Sequence, residues 1–132
     1  MSAGIERTRA GRARPRGGGF ELGVWYVMRL TGLALFVLAL SHFSITHFLF
    51  DPAEQTSQWI VDTRWGSLLW RTVDWAMLTT VILHSFLGVR TVVQDYTHGG
   101  LRLALSLLLA GGALALFAMG TLAVATLGFP VR

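Results

Sequence analysis

Three long apolar runs constrain this chain more than any other feature: about Leu22 to Phe50, about Val73 to Val93 and about Leu103 to Phe129. Each meets or exceeds the ~20 residues that an α-helix needs to cross ~30 Å of hydrocarbon. Composition points the same way. Of 132 residues, 53% are hydrophobic and 14% charged, and in water a domain of this size would expose large apolar patches. The expected fold is all-α, an integral membrane domain over residues 21–132 with three transmembrane helices. A basic, glycine-rich tail precedes it over residues 1–20. The third run is rich in Leu, Ala and Gly, and Gly111, Gly112 and Gly120 offer close helix contacts.

The tail holds Arg7, Arg9, Arg12, Arg14 and Arg16 without apolar periodicity, so it is expected to be disordered or to lie along the membrane surface. The first run is too long for the apolar region of a signal peptide, and no A-x-A-like site closes it. A mitochondrial presequence is a second reading of the tail, against which Glu6, Glu21 and the shortness of the segment speak. A bacterial inner membrane is the expected location, with lipid as neighbour and no nucleic acid. The five tail arginines, with Arg90 and Arg102 flanking a 94–102 turn, place the N-terminus and that turn in the cytoplasm by the positive-inside rule. The C-terminus is then periplasmic. The outer connection, 51–72, sets Arg64 and Arg71 against Asp51, Glu54 and Asp62. Its Trp59, Trp65 and Trp70, with Trp75 just inside the second helix, fit an aromatic belt, and a short interfacial helix is expected there. The chain has no cysteine, which excludes disulfides, iron–sulfur ligation and covalent c-type haem attachment. Any cluster working with it must sit on another chain.

Titratable groups in hydrocarbon are costly and usually face protein, a cofactor or a cavity. His84 lies near the middle of the second helix. It either hydrogen-bonds to a neighbouring helix or ligates haem iron through an unprotonated ring nitrogen. Gly88, one turn on, leaves room for a flat macrocycle. Asp95 lies about 20° off the same face and ~16 Å along the axis, so one stripe joins mid-membrane to the cytoplasmic rim. Asp95-Tyr96 is either an ordinary helix end or a quinone headgroup site, where a phenol donates to a quinone carbonyl and the carboxylate orients an arginine or assists proton uptake. Arg29, about one turn into the first helix, could snorkel, neutralise a haem propionate or pair with Asp95. Arg90 reads as a snorkelling cation. His42 shares a face with Thr31, Leu35 and Leu38, and could hold a second haem or hydrogen-bond locally. It sits ~9 Å to the outer side of its helix centre and His84 ~2 Å to the inner side of its own, so the two are not expected to grip one iron. His47 reads as solvated at the boundary, and Asp74 as an acid beside a helix N-terminus.

The stretch His84-Ser-Phe-Leu-Gly88-Val-Arg90-Thr-Val-Val-Gln-Asp95-Tyr96 resembles the H-x(10)-D-Y signature of the D-type membrane anchor of succinate dehydrogenase. The likeness extends to the basic tail, the early Arg29-Leu-Thr31-Gly32, the outer loop and a plain third helix. It implies a subunit of succinate:quinone oxidoreductase, respiratory complex II, whose partners are a flavoprotein, an iron–sulfur subunit and a second membrane anchor. Succinate oxidation resides on those partners, and the two anchors hold haem b and a quinone, menaquinone or ubiquinone. By the same resemblance His84 is the haem b axial ligand from this chain, Tyr96 the quinone-carbonyl donor with Asp95 beside it, and Arg29 the propionate arginine. His42 has a counterpart in relatives with two haems. Arg29-x-Thr31-Gly32 and Gly88-x-Arg90 also resemble patterns of the C-type anchor, so a C-type or fumarate reductase anchor is the alternative. Outside this family stand a non-redox membrane scaffold and a small proton- or ion-conducting subunit.

Overall fold

A computed structural model describes residues 19–127, together with the backbone of Glu6–Arg7 and Ala13–Arg14. Those two short segments pair antiparallel, Glu6 opposite Arg14 and Arg7 opposite Ala13. The rest of the tail, on which the expectation of disorder falls, lies outside the described residues, as does Phe129 at the end of the third apolar run.

The described chain is helical almost throughout. Helix α1 covers Gly19–Ser44 and continues as a π-helical turn over Ile45–Leu49. A 3-10 turn at Pro52–Glu54, the short helix α2 at Ser57–Trp59 and a π turn at Ile60–Arg64 make up the connection. Helix α3 covers Leu68–Tyr96 and α4 covers Gly99–Thr126. Three segments are long and apolar enough to span a bilayer: Gly19–Leu49, Leu68–Tyr96 and Gly99–Thr126. The expected short helix in the 51–72 connection is α2, started by Thr56, which accepts from Trp59 N at 3.2 Å; Asp51, which accepts from Ala53 N at 2.9 Å, starts the 3-10 turn before it.

The helices are longer than the apolar runs. Helix α3 begins five residues before Val73 and ends three after Val93, and α4 begins four before Leu103. The anticipated 94–102 turn therefore shrinks to Thr97 and His98. Apolarity marks only what lipid must cover, whereas the backbone goes on forming helical hydrogen bonds into polar surroundings. Three local features close this tight turn. Thr97 and His98 are extended, Gly99 takes φ +58°, and Arg102 donates from Nε to Thr97 O (2.7 Å) and from Nη2 to Gln94 O (2.9 Å). Arg102 thus satisfies backbone carbonyls that the end of α3 leaves open.

Helix α3 is central, packing against α1 on one side and α4 on the other. Met28 meets Gly88, Thr31 meets His84 and Arg64 bridges His42 to Asp74. These contacts climb α1 as they descend α3, so the two run antiparallel in one register. Against α4, the Trp75 indole donates to Thr121 Oγ1 at 3.1 Å and Leu78 folds over Gly120, where a Cβ would stand 2.6 Å from Leu78 Cδ2. Gly120 is therefore a close-contact glycine as expected. Gly111 and Gly112 meet nothing within 4 Å, so they do not serve contacts inside this chain.

Among the described residues Leu87 is the one buried apolar side chain, at 8% exposure. Leu, Phe and Val side chains point outward along all three long helices. Such a bundle has no core able to hold it together in water; its outer surface suits lipid and other membrane helices.

The positive φ at Gly99 gives a specific expectation. Gly99→Val should destabilise the α3–α4 turn by roughly 1–2 kcal/mol, the cost of left-handed backbone for a residue with a Cβ. Gly100→Val, where a Cβ would meet open space, should be close to neutral. Thermal denaturation of the solubilised complex compares the two.

Candidate functional site

His84 projects from the middle of α3 onto α1. Its Nδ1 lies 3.0 Å from Thr31 Oγ1, and Thr31 in turn donates within its own helix to Val27 O at 2.7 Å, with Met28 O at 3.2 Å. Gly32 makes room for the ring, since a Cβ there would sit 3.4 Å from His84 Cε1. Gly88, one turn along α3, receives the Met28 methyl group, 3.5 Å from where a Cβ would be. The space that sequence reasoning reserved beside Gly88 is thus taken by Met28 within this chain. The glycine that accommodates the imidazole is Gly32.

Next to this contact runs an open groove of about 660 Å³, lined by Trp25, Met28, Arg29, Gly32, Leu33 and Thr91 among others. Arg29 lies ten residues beyond the start of α1, well past one turn. It stacks over the Trp25 ring, 4.1 Å from the centroid, and is exposed, with no hydrogen bond or ion pair among the described residues. It does not meet Asp95. At this end of the bundle Arg90 finds an acid: its Nη2 is 3.1 Å from Glu21 Oε1, and its guanidinium lies over Phe20. With the Gln94 amide turned so that its oxygen faces the guanidinium, Arg90 also donates to Gln94 at 2.8 Å and 3.2 Å. Arg90 therefore ties the start of α1 to the end of α3.

Asp95 and Tyr96 close α3 in full view of solvent or a partner. Both are exposed, Tyr96 to 81%, and neither makes a side-chain hydrogen bond within the described residues. A phenol and a carboxylate left unpaired at one helix end can donate to and accept from something outside the chain.

At the opposite end of α3 lies a cluster that sequence reasoning did not assemble. Arg64 and Asp74 form a two-point pair, Nε to Oδ2 at 2.8 Å and Nη2 to Oδ1 at 2.6 Å. Trp65 Nε1 donates to Asp74 Oδ2 at 3.0 Å, and Arg64 Nη2 also donates to His42 Nδ1 at 3.0 Å. Arg71 Nε donates to Trp65 O, and the Arg64 guanidinium faces the Trp70 ring at 5.3 Å. Arg64 and Asp74 are only 7% and 12% exposed. Asp74 is thus the counterion of a buried arginine rather than a simple helix-start acid, and Trp65 is held inward. His42 and His84 sit in separate clusters with different partners. His47 stacks on Phe43 and meets Thr46 Oγ1 at 3.2 Å.

Compared with known proteins, residues 6–129 match the succinate dehydrogenase/fumarate reductase transmembrane subunit family. The chain belongs to this family. It is a multi-pass membrane anchor subunit of the succinate dehydrogenase/fumarate reductase complex and assembles with the other subunits of complex II. A comparison with curated proteins finds no significant match.

In this anchor the residues singled out from sequence fall into four places. His84 is in the α1–α3 contact, Asp95 and Tyr96 are at the exposed end of α3, Arg29 lines the groove, and His42 sits in the Arg64–Asp74 cluster. The residues missed are Thr31 as the partner of His84, Arg64 and Trp65 as partners of Asp74, and Arg102 at the turn. A signal for Thr31 was present: it shares a face with His42, and both turn toward α3. Arg64 gave none, because a loop arginine ten residues from an acid has no fixed geometry until the loop folds.

Removing one member of a buried ion pair leaves the other uncompensated, which costs ~3–5 kcal/mol. Asp74→Ala should therefore lower the denaturation temperature of the solubilised complex strongly, and Asp74→Asn, which keeps part of the hydrogen bonding, by less.

Proposed function

We propose that this chain is the D-type anchor of a bacterial succinate:quinone oxidoreductase, supplying one axial ligand to haem b and part of the quinone site. The observation that carries this reading is His84. A titratable ring sits at mid-span against a glycine of the neighbouring helix, with one nitrogen partnered by Thr31 and the other without a protein partner among the described residues. Unpaired polar atoms are expensive in an apolar setting, so the second nitrogen calls for an external partner, and haem iron fits its chemistry. The groove beside Gly32 and the unpaired Arg29 within it suit a flat macrocycle with anionic side groups. A further ligand to the iron would have to come from outside the α1–α3 contact, since His42 is engaged by Arg64.

When bound, the haem supplies a one-electron redox centre next to the path from the partner's iron–sulfur clusters to the quinone. The chain's own residues do the rest. Tyr96 donates its phenolic hydrogen to a quinone carbonyl, Asp95 holds a proton or orients a cation beside it, and their exposure opens the pair to water and to the iron–sulfur subunit. The arginine distribution supports a cytoplasmic N-terminus and α3–α4 turn, with the outer loop on the periplasmic side. His42 supports the reading of one haem. A guanidinium can only donate, so Nδ1 of His42 is the acceptor and the neutral ring keeps its hydrogen on Nε2. A C-type or fumarate reductase anchor is the second reading, favoured by the contact of Thr31 and Gly32, from the Arg29-x-Thr31-Gly32 stretch, with His84.

Two variants of the intact complex test the proposal. His84→Ala should abolish the bis-histidine b-haem spectrum, and a retained spectrum would refute the ligand assignment. Tyr96→Phe should lower kcat/KM for quinone roughly tenfold, about the worth of one hydrogen bond. Succinate-dependent reduction of a soluble dye at the partner subunits should be unchanged.

A further inference from the structure

We propose that Thr31 is a positioning residue for the axial histidine: it sets the tautomer of His84, places the ring hydrogen on Nδ1 and presents Nε2 bare. This inference rests on the reading of His84 as a haem ligand.

The argument is a count of hydrogens. A threonine hydroxyl has one hydrogen and two acceptor sites. Thr31 Oγ1 lies 2.7 Å from Val27 O and 3.2 Å from Met28 O. Both are carbonyl oxygens that can only accept, and Val27 O is nearer to the hydroxyl than His84 Nδ1 is, which favours keeping the hydroxyl hydrogen within α1. What Thr31 offers to His84 Nδ1, 3.0 Å away, is a lone pair. With the hydroxyl hydrogen kept in α1, two lone pairs would face each other and repel unless Nδ1 is the donor. A neutral imidazole carries one ring hydrogen, and with that hydrogen on Nδ1 the lone pair stays on Nε2.

Orientation comes from the same contact. Gly32 lies beside the ring, with a Cβ position 3.4 Å from Cε1, so the imidazole is held by a hydroxyl and a bare stretch of helix. The other interfacial histidine supplies an internal contrast. His42 Nδ1 faces Arg64, a pure donor, and is locked in the opposite tautomer. Two histidines on one helix contact are thus set apart by what faces Nδ1: a hydroxyl whose hydrogen is spent, or a guanidinium.

An acceptor on the remote N–H of a metal-bound imidazole raises ligand basicity, and loss of such a partner typically costs about 10- to 100-fold in metal affinity. A more basic ligand favours ferric over ferrous iron. Thr31 is therefore expected to hold the haem midpoint potential down as well as to retain the haem.

The test uses the whole membrane complex in four forms: wild type, Thr31→Val, Thr31→Ser and His84→Ala. Haem content and the midpoint potential from a spectroscopic redox titration are measured for each. Thr31→Val should shift the midpoint to more positive potential and lose haem about 10- to 100-fold more readily on dilution, and Thr31→Ser should restore both. A Thr31→Val complex with wild-type potential and retention overturns the inference. If His84→Ala also loses its haem in that case, the ligand assignment stands while the role of Thr31 falls. If His84→Ala keeps its haem, the ligand assignment itself fails. Should Thr31→Val not assemble, the same two measurements on Thr31→Ala decide: a midpoint shifted to more positive potential with weaker haem retention supports the inference, and wild-type values overturn it.

Discussion

The contact on which the rest of this anchor depends is the one between the His84 ring and Thr31, made where neither helix has water to turn to. In an aqueous protein a histidine and a threonine at such a distance would be one hydrogen bond among many, easily exchanged for solvent. Within a membrane span each polar atom needs a partner, and the alternatives are few. The requirement fixes the rotation of α1 and α3 about their axes. With Thr31 turned onto His84, Met28 comes against Gly88 and His42 faces the Asp74 level of α3. Two more polar ties repeat the logic at the ends of the pair, Arg90 to Glu21 at one and Arg64 to Asp74 at the other. The hydrophobic effect contributes little to such a pairing, since lipid is as apolar as the side chains it would replace. Polar geometry and small residues set the register instead.

Helix α4 stands in a different relation to the site. It is joined to α3 through a two-residue turn and held by Trp75, Thr121 and the close approach of Leu78 to Gly120. None of the candidate site residues lies on it. Its role is to cover one side of α3 and to leave the other contacts of the site to α1 and to partner subunits. That division agrees with the exposure pattern: an anchor that assembles with other subunits of its complex keeps its apolar flanks and its Asp95–Tyr96 end open.

Much of this was legible in the sequence because lipid simplifies the reading. Runs of apolar residues give spans directly, and a histidine in the midst of one is conspicuous. The helix count and the mid-helix place of His84 followed from that, and the short helix in the connection from the tryptophans of the 51–72 segment. Helix ends were less legible, since apolarity stops at Val93 while the backbone stays helical to Tyr96. The partners of polar residues were least legible. Asp74 looked like a helix-start acid because its counterion, Arg64, is brought to it by a folded loop that hydropathy does not describe. Arg29 and Asp95 looked like possible partners because depth alone was considered. The rotation imposed by Thr31 and His84 leaves Arg29 on the groove and gives the Glu21 carboxylate to Arg90.

An experimental density map of the intact complex at a resolution that shows side-chain orientation tests the central claim most directly. It should show His84 Nε2 coordinated to haem iron with Nδ1 within hydrogen-bond distance of Thr31 Oγ1. A map in which Nε2 instead points to a backbone carbonyl or another protein group, with no iron beside it, would contradict the claim.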